Sequence, residues 1–186
     1  ELEPWDKVSF LKSLGSGMRL TAHIMCMSGD HSLSVEKITD RCIEEGFEII
    51  YIHPRSFSNL NDLLTFKERA FKNAHHIFGI VSELDETTNQ NLVDFVADNS
   101  IKNLLQMGVP IGRGGQKFGW SATDRIEDFT LGCSTISNVE LDGGLTFDVL
   151  RKLQKSNIGR FAGWSLVADT DPLIVLSRAL EVKQLI

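Results

Sequence analysis

Short apolar runs of strand length alternate with amphipathic stretches along the chain. The runs fall at 19–25, 47–53, 76–82, 103–108, 138–142 and 159–164, and each is predicted to be a β-strand. Apolar residues recur at three- and four-residue spacing over 33–45, 60–72, 88–99, 121–131, 145–156 and 172–184, which predicts helices. Thr88 or Asn89, and Thr146, stand where helices should start, while Gly46 and Gly159 stand where helices should stop. Strand starts recur at the length of a βα repeat, with no hairpin signal between them, so the strands should pair in parallel.

An open doubly wound sheet and a (β/α)₈ barrel both satisfy that alternation. The polar positions favour the barrel. In 19–25, Leu20, Ala22 and Ile24 share one face, and Thr21, His23 and Met25 share the other. In 138–142, Val139 and Leu141 oppose Glu140 and Asp142, and in the second strand Ile49, Tyr51 and His53 lie together. A sheet covered by helices on both faces would show near-continuous apolar strands instead. The expected fold is α/β, a (β/α)₈ TIM barrel with about six βα units visible, in one domain over residues 1–186.

Composition narrows the function classes. A net charge of −6, with no local basic stripe, argues against nucleic acid as the main partner. No apolar run approaches membrane-spanning length, so no membrane partner is expected. Cys26, Cys42 and Cys133 lack metal-ribbon spacing and read as reduced thiols of a cytoplasmic protein.

The chemistry concentrates at strand ends. Met107-Gly-Val-Pro-Ile-Gly-Arg-Gly-Gly-Gln-Lys-Phe118 runs from a strand into a loop with Gly112, Gly114 and Gly115. Such a loop can turn its N–H groups toward one point and bind an anion, a phosphate above all. Gln116 and Lys117 add donors, and Asp142-Gly143-Gly144 repeats the strand-end glycine pattern one βα unit later. His23 and Asp142 offer one imidazole and one carboxylate, a combination that suits Zn²⁺, Mn²⁺ or Fe²⁺ when further ligands join them. Met25 and Met107, each at a strand end, could wall a small substrate, and His53 could face the same pocket. His75 and His76 read as surface or capping residues, and Glu83, Asp85 and Glu86 as a solvated acidic loop.

Taken in order, Ala22-His23-Ile24-Met25, Ile50-Tyr51-Ile52-His53, the 107–118 stretch, Glu140-Leu-Asp-Gly-Gly144 and Ala162-Gly163…Asp171-Pro172 resemble the ribulose-phosphate 3-epimerase family. The resemblance implies a ribulose-phosphate-binding barrel that inverts one carbinol centre of a ketose phosphate. It implies a divalent metal (Zn, Mn or Fe), with His23 and Asp142 as ligands and Asp142 also as one of two acid/base carboxylates. Gly112, Gly114, Gly115, Gly143, Gly144 and Gly163 would be backbone donors to the phosphate, with Met25, Met107 and Trp164 beside the substrate. A homo-oligomer is implied as well.

The family pattern also carries two earlier strands, with a serine and a His-x-Asp motif that supplies further ligands and the second acid/base. Nothing before Arg19 matches them, and residues 1–18 read as the helix preceding the first visible strand. Those strands are expected to lie upstream of Glu1. Pro110-Ile111 replaces a usual Asn-Pro, Arg113 a usual aromatic residue, and Trp164 a usual serine. Alternatives to a 3-epimerase are a non-catalytic sugar-phosphate-binding relative and a barrel lyase or isomerase using the same phosphate loop.

Overall fold

Where a strand alternates, its apolar stripe must be covered by helices and its polar stripe is left to the opposite face. The computed structural model describes Trp5, Ser9, residues 20–24, 34–72, 77–84, 90–110, 116–153 and 160–162, and residues 173, 174, 177, 178, 180 and 181. They divide into two compact units, Glu1–Phe78 and Gly79–Ile186.

In the first unit, β1 (Thr21–Ile24) is followed by α1 (Val35–Glu44), β2 (Ile49–Ile52), a single 3₁₀ turn at Pro54–Ser56, and α2 (Leu60–Ala70). The two strands pair in parallel, from Thr21 beside Ile49 to Ile24 beside Ile52. Ser34 caps α1 by accepting from the Lys37 N–H at 3.2 Å, and Asn59 caps α2 by accepting from the Asp62 N–H at 2.9 Å. Gly46 stops α1 as expected, with φ of 73°. Phe47 belongs to that stop, since its N–H donates to the Cys42 carbonyl at 3.0 Å, which is why β2 begins later than the apolar run. Of the expected N-terminal helix, Trp5 and Ser9 are helical, and the guanidinium of Arg41 lies 5.6 Å from the Trp5 ring centroid.

In the second unit, β3 (Ile77–Ser82, its first two residues in the preceding unit) leads to α3 (Gln90–Asp98), β4 (Asn103–Met107), α4 (Ser121–Gly132), β5 (Asn138–Asp142), α5 (Phe147–Leu153) and β6 (Arg160–Ala162). The pairs β3–β4, β4–β5 and β5–β6 are all parallel. Thr146 caps α5, its hydroxyl accepting from the Val149 N–H at 3.3 Å. Thr88, Asn89 and Gly159 lie outside the described residues, as do His75 and His76.

Register sorts the side chains of this unit into two sets. Leu104 pairs with Val139 and Gln106 with Leu141. Val139 and Leu141 are packed with Phe118, Ala122, Ile126, Leu145, Leu150 and Leu153, so this set faces the helices. On the other face, Asn103 pairs with Asn138, Leu105 with Glu140 and Met107 with Asp142. The Asn138 side-chain amide donates to the side-chain Oδ1 of Asn103 at 2.9 Å, across the base of that face. The face opposite the helices therefore passes from amides, through Val81, Leu105 and Glu140, to the strand ends where Met107 and Asp142 lie.

Among the described residues no helix is long and apolar enough to cross a membrane. Cys42 and Cys133 are buried free thiols, and Cys26 lies outside the described residues. Burial and then the nearby Glu45 push the Cys42 thiol up to about 11, so it packs as a small apolar group.

Candidate active site

In the first unit, His23 is half-buried on β1 and His53 follows β2 with 1% exposure. His23 is registered beside Tyr51, so His53, two residues further on, extends from the same face. The rings lie nearly parallel, 15° apart, with centroids separated by 6.3 Å. Burial, then the neighbouring His23 and Arg55, lowers the His53 pKa to about 4. A neutral imidazole is the form that donates a lone pair to a metal.

That shift makes acid a selective stress. The unfolded imidazole takes a proton near pH 6.5, while the folded one resists until about pH 4. The unfolded chain therefore binds more protons in that window, so stability from this group is complete above pH 6.5 and falls as the pH drops toward 4. The full loss is on the order of 3 kcal/mol. Urea unfolding of metal-free protein at pH 7 and pH 4.5 should show a markedly smaller drop for His53→Phe than for the parent. Equal drops would rule out His53 as the source.

In the second unit, the structure brings Met107, Asp142, Gly143 and Gly144 together with Gly108 and Phe118. Asp142 ends β5, partly exposed, next to Met107 on β4. Its carbonyl accepts from the Gly108 N–H at 2.6 Å, and the Gly108 carbonyl accepts from the Gly119 N–H at 2.8 Å. The two ends of the glycine-rich stretch are thus stapled to each other and to the Asp-Gly-Gly turn. Gly143 and Gly144 adopt φ of 91° and 67°, which side chains rarely tolerate. Packing is close enough that a Cβ on Gly108 would lie 2.5 Å from the Gly143 carbonyl oxygen and 2.6 Å from the Phe118 ring.

The structure corrects one expectation. Glu83 does not belong to a solvated loop; it is buried to 4% exposure. The next side chain explains this: Leu84 packs against the helix-facing core, and the strand alternation then turns Glu83 to the opposite face. Glu140, on that face as expected, is also buried, at 7%. The signal for Glu83 was present in the sequence as the continuation of the Gly79, Val81 parity past the strand end. Asp85 and Glu86 lie outside the described residues, and so do Met25, Gly112, Arg113, Gly114, Gly115, Gly163 and Trp164.

The donor types suit a divalent cation only in part. His23 offers imidazole nitrogen and Asp142 carboxylate oxygen, but among the described residues no group of three or more His, Cys, Asp or Glu could hold a metal. A metal at either residue would need further ligands.

The chain resembles KGPDC from Streptococcus mutans, crystallised in complex with a sugar phosphate, at 14% identity and a TM-score of 0.66, over 96% of this chain and 78% of that one. It resembles 3-hexulose-6-phosphate synthase from Salmonella typhimurium at 12% identity and a TM-score of 0.65, over 98% of this chain and 80% of that one. For 3-keto-L-gulonate-6-phosphate decarboxylase from Vibrio cholerae O1 biovar El Tor str. N16961 the figures are 13% and 0.63, over 99% and 81%. At such identities the likeness is one of fold, and the fold is the TIM-barrel α/β class expected from the strand–helix alternation. No curated protein sequence matches the chain. The family model described as the ribulose-phosphate 3 epimerase family matches residues 7–165, and the chain belongs to that family.

Proposed function

We propose that the protein epimerises a ketose phosphate, of the ribulose 5-phosphate type, at the carbon beside the carbonyl. The observation that carries this reading is the arrangement of Asp142. Its backbone is fixed by the Gly108 N–H, it stands beside Met107, and it leads directly into the Gly143-Gly144 turn packed on the base of the glycine-rich stretch. A carboxylate at a strand end next to a phosphate-binding loop can reach a C–H bond on a substrate anchored at its far end. A neighbour of the same fold, KGPDC from Streptococcus mutans, was crystallised with a sugar phosphate, which supports that substrate class here.

Epimerisation takes a proton from one face of the carbon and returns one to the other, so it needs two acid/base groups about an enediolate. Asp142 is one of these. Met107 gives an apolar floor beside it, which keeps water from the reacting carbon. Gly112, Gly114, Gly115, Gly143, Gly144 and Gly163 bind the phosphate through backbone N–H groups, with Met25 and Trp164 along the sugar. His23 and Asp142 would each be one of the ligands to a divalent cation (Zn, Mn or Fe), with the others from outside the described residues, and that cation would supply charge stabilisation for the enediolate.

A second reading is a barrel lyase acting on the same substrate class. It is favoured by the names of the structural neighbours, a decarboxylase and a synthase. Incubation with ribulose 5-phosphate in D₂O, with added Zn²⁺, Mn²⁺ or Fe²⁺, separates the two. The expected product is the 3-epimer carrying one deuterium at the inverted carbon. A shortened product would select the lyase. No exchange under any of the three metals would remove the epimerase reading.

A further inference from the structure

We propose that Gln106 is a positioning residue: its buried amide holds the end of β4 so that the base of the glycine-rich stretch keeps its place against Asp142. The proposal rests on the epimerase reading and deepens it, because it names what fixes the phosphate end of the substrate relative to the carboxylate.

Packing alone does not call for an amide at this position. Gln106 is fully buried, and register sets it between Ser82 of β3 and Leu141 of β5. Leu141 belongs to the helix-facing core, and Leu104, two residues earlier on the same face as Gln106, is fully buried and apolar. A leucine or methionine would fill such a place with no polar group to desolvate. The Gln106 amide loses its hydration there, and its Oε1 has no hydrogen-bond partner among the described residues. Burial of an unpaired acceptor weakens a fold. The compensation lies on the amide nitrogen, and it is one of placement.

Gln106 Nε2 donates to the Met107 carbonyl at 3.0 Å and to the Ser82 carbonyl at 3.3 Å. These are the last residues of β4 and β3, so one side chain ties the two strand ends together where the ladder stops. On the other flank, the Gly108 N–H donates to the Asp142 carbonyl at 2.6 Å. The peptide that leads from β4 into the glycine-rich stretch is therefore held from both neighbouring strands, by Gln106 on the β3 side and by Asp142 on the β5 side. Loss of the amide leaves the bond to Asp142 as a pivot. A turn about that pivot is passed on to the far end of the stretch, because the Gly108 carbonyl accepts from the Gly119 N–H at 2.8 Å.

Gln106 touches no reacting atom. It lies on the helix-facing side, whereas Met107 and Asp142 share the opposite face. Its effect is on the separation between the phosphate anchor and the carboxylate, and a misplacement of about 1 Å in such a pair costs about 10²-fold in rate. A residue of this kind lowers stability while it raises activity, so the two should move apart when it is replaced.

Gln106→Met tests this, since methionine keeps the length of the side chain and removes the donor. Deuterium incorporation in D₂O is followed with ribulose 5-phosphate and with unphosphorylated ribulose, under the metal that supports the parent. For ribulose 5-phosphate, kcat/KM should fall by about 10–10²-fold. Exchange into ribulose, which has no anchored end to misplace, should fall much less. The urea midpoint should stay at or above that of the parent. A merely structural role would reduce both substrates in proportion to the protein lost and would lower the midpoint. Parental turnover of ribulose 5-phosphate in Gln106→Met, an equal fall for the two substrates, or a variant that does not fold would each overturn the assignment while the epimerase reading stands. Absence of exchange into ribulose 5-phosphate by the parent protein would overturn both.

Discussion

Asp142→Asn is expected to abolish deuterium exchange into both epimers of ribulose 5-phosphate, a loss of at least about 10²–10⁴-fold, with the fold unchanged. Asparagine matches aspartate in shape, and the bond that fixes this strand end uses the Asp142 backbone carbonyl, which the substitution keeps. Stability should thus move by no more than about 0.5 kcal/mol, the usual range for a partly exposed side chain outside a packed core. The proposed chemistry has no such tolerance, because the amide can neither take a proton nor serve as an anionic metal ligand. Loss of Asp142 removes a relay and a ligand together, so exchange should vanish from both sides. Measured exchange in a folded Asp142→Asn protein would refute the role given to Asp142.

The sequence was most legible where a side-chain period repeats. Six strands stand among the described residues, each within an apolar run, because period-two alternation in β1 and β5 and the glycine or cap residues between elements all point the same way. The strand-end position of Asp142 was legible for a related reason: the alternating run stops there at two glycines, which take the positive φ of a turn. Glu83 was harder to read, because the acidic neighbours Asp85 and Glu86 suggested a solvated segment. What decides its burial is the packing of Leu84 against the helix-facing core, a contact between residues far apart in sequence. His53 was similarly half-legible. Its face followed from Ile49 and Tyr51, but its near-complete burial and depressed pKa arise from tertiary surroundings. Gln106 gave no signal, since an amide inside an apolar strand shows its purpose only when the carbonyls of Ser82 and Met107 come within its reach.

Gly144→Ala should be among the most damaging single-methyl additions to the chain, costing about 3–5 kcal/mol of folding stability. Two independent effects combine. The backbone at Gly144 has φ of 67°, where an L side chain carries roughly 1–2 kcal/mol of strain. The added Cβ would also lie 2.6 Å from Val109 Cγ1, 2.8 Å from the Phe118 nitrogen and 2.9 Å from the Phe118 Cα. Valine could rotate, but the Phe118 backbone is held by its neighbour, since the Gly119 N–H donates to the Gly108 carbonyl. Relief must therefore come from separating the Asp-Gly-Gly turn from the base of the glycine-rich stretch, the junction on which phosphate binding is proposed to depend. Gly46→Ala isolates the first effect. Gly46 has nearly the same backbone, with φ of 73°, yet nothing lies within 4 Å of its would-be Cβ, so its cost should stay near about 1 kcal/mol. Urea unfolding of the two variants beside the parent measures the difference. If Gly144→Ala is no worse than Gly46→Ala, the strand-end turn has slack and the tight junction does not hold. If it is worse by about 2 kcal/mol or more, the glycine is there because two backbones touch, not only because one of them turns.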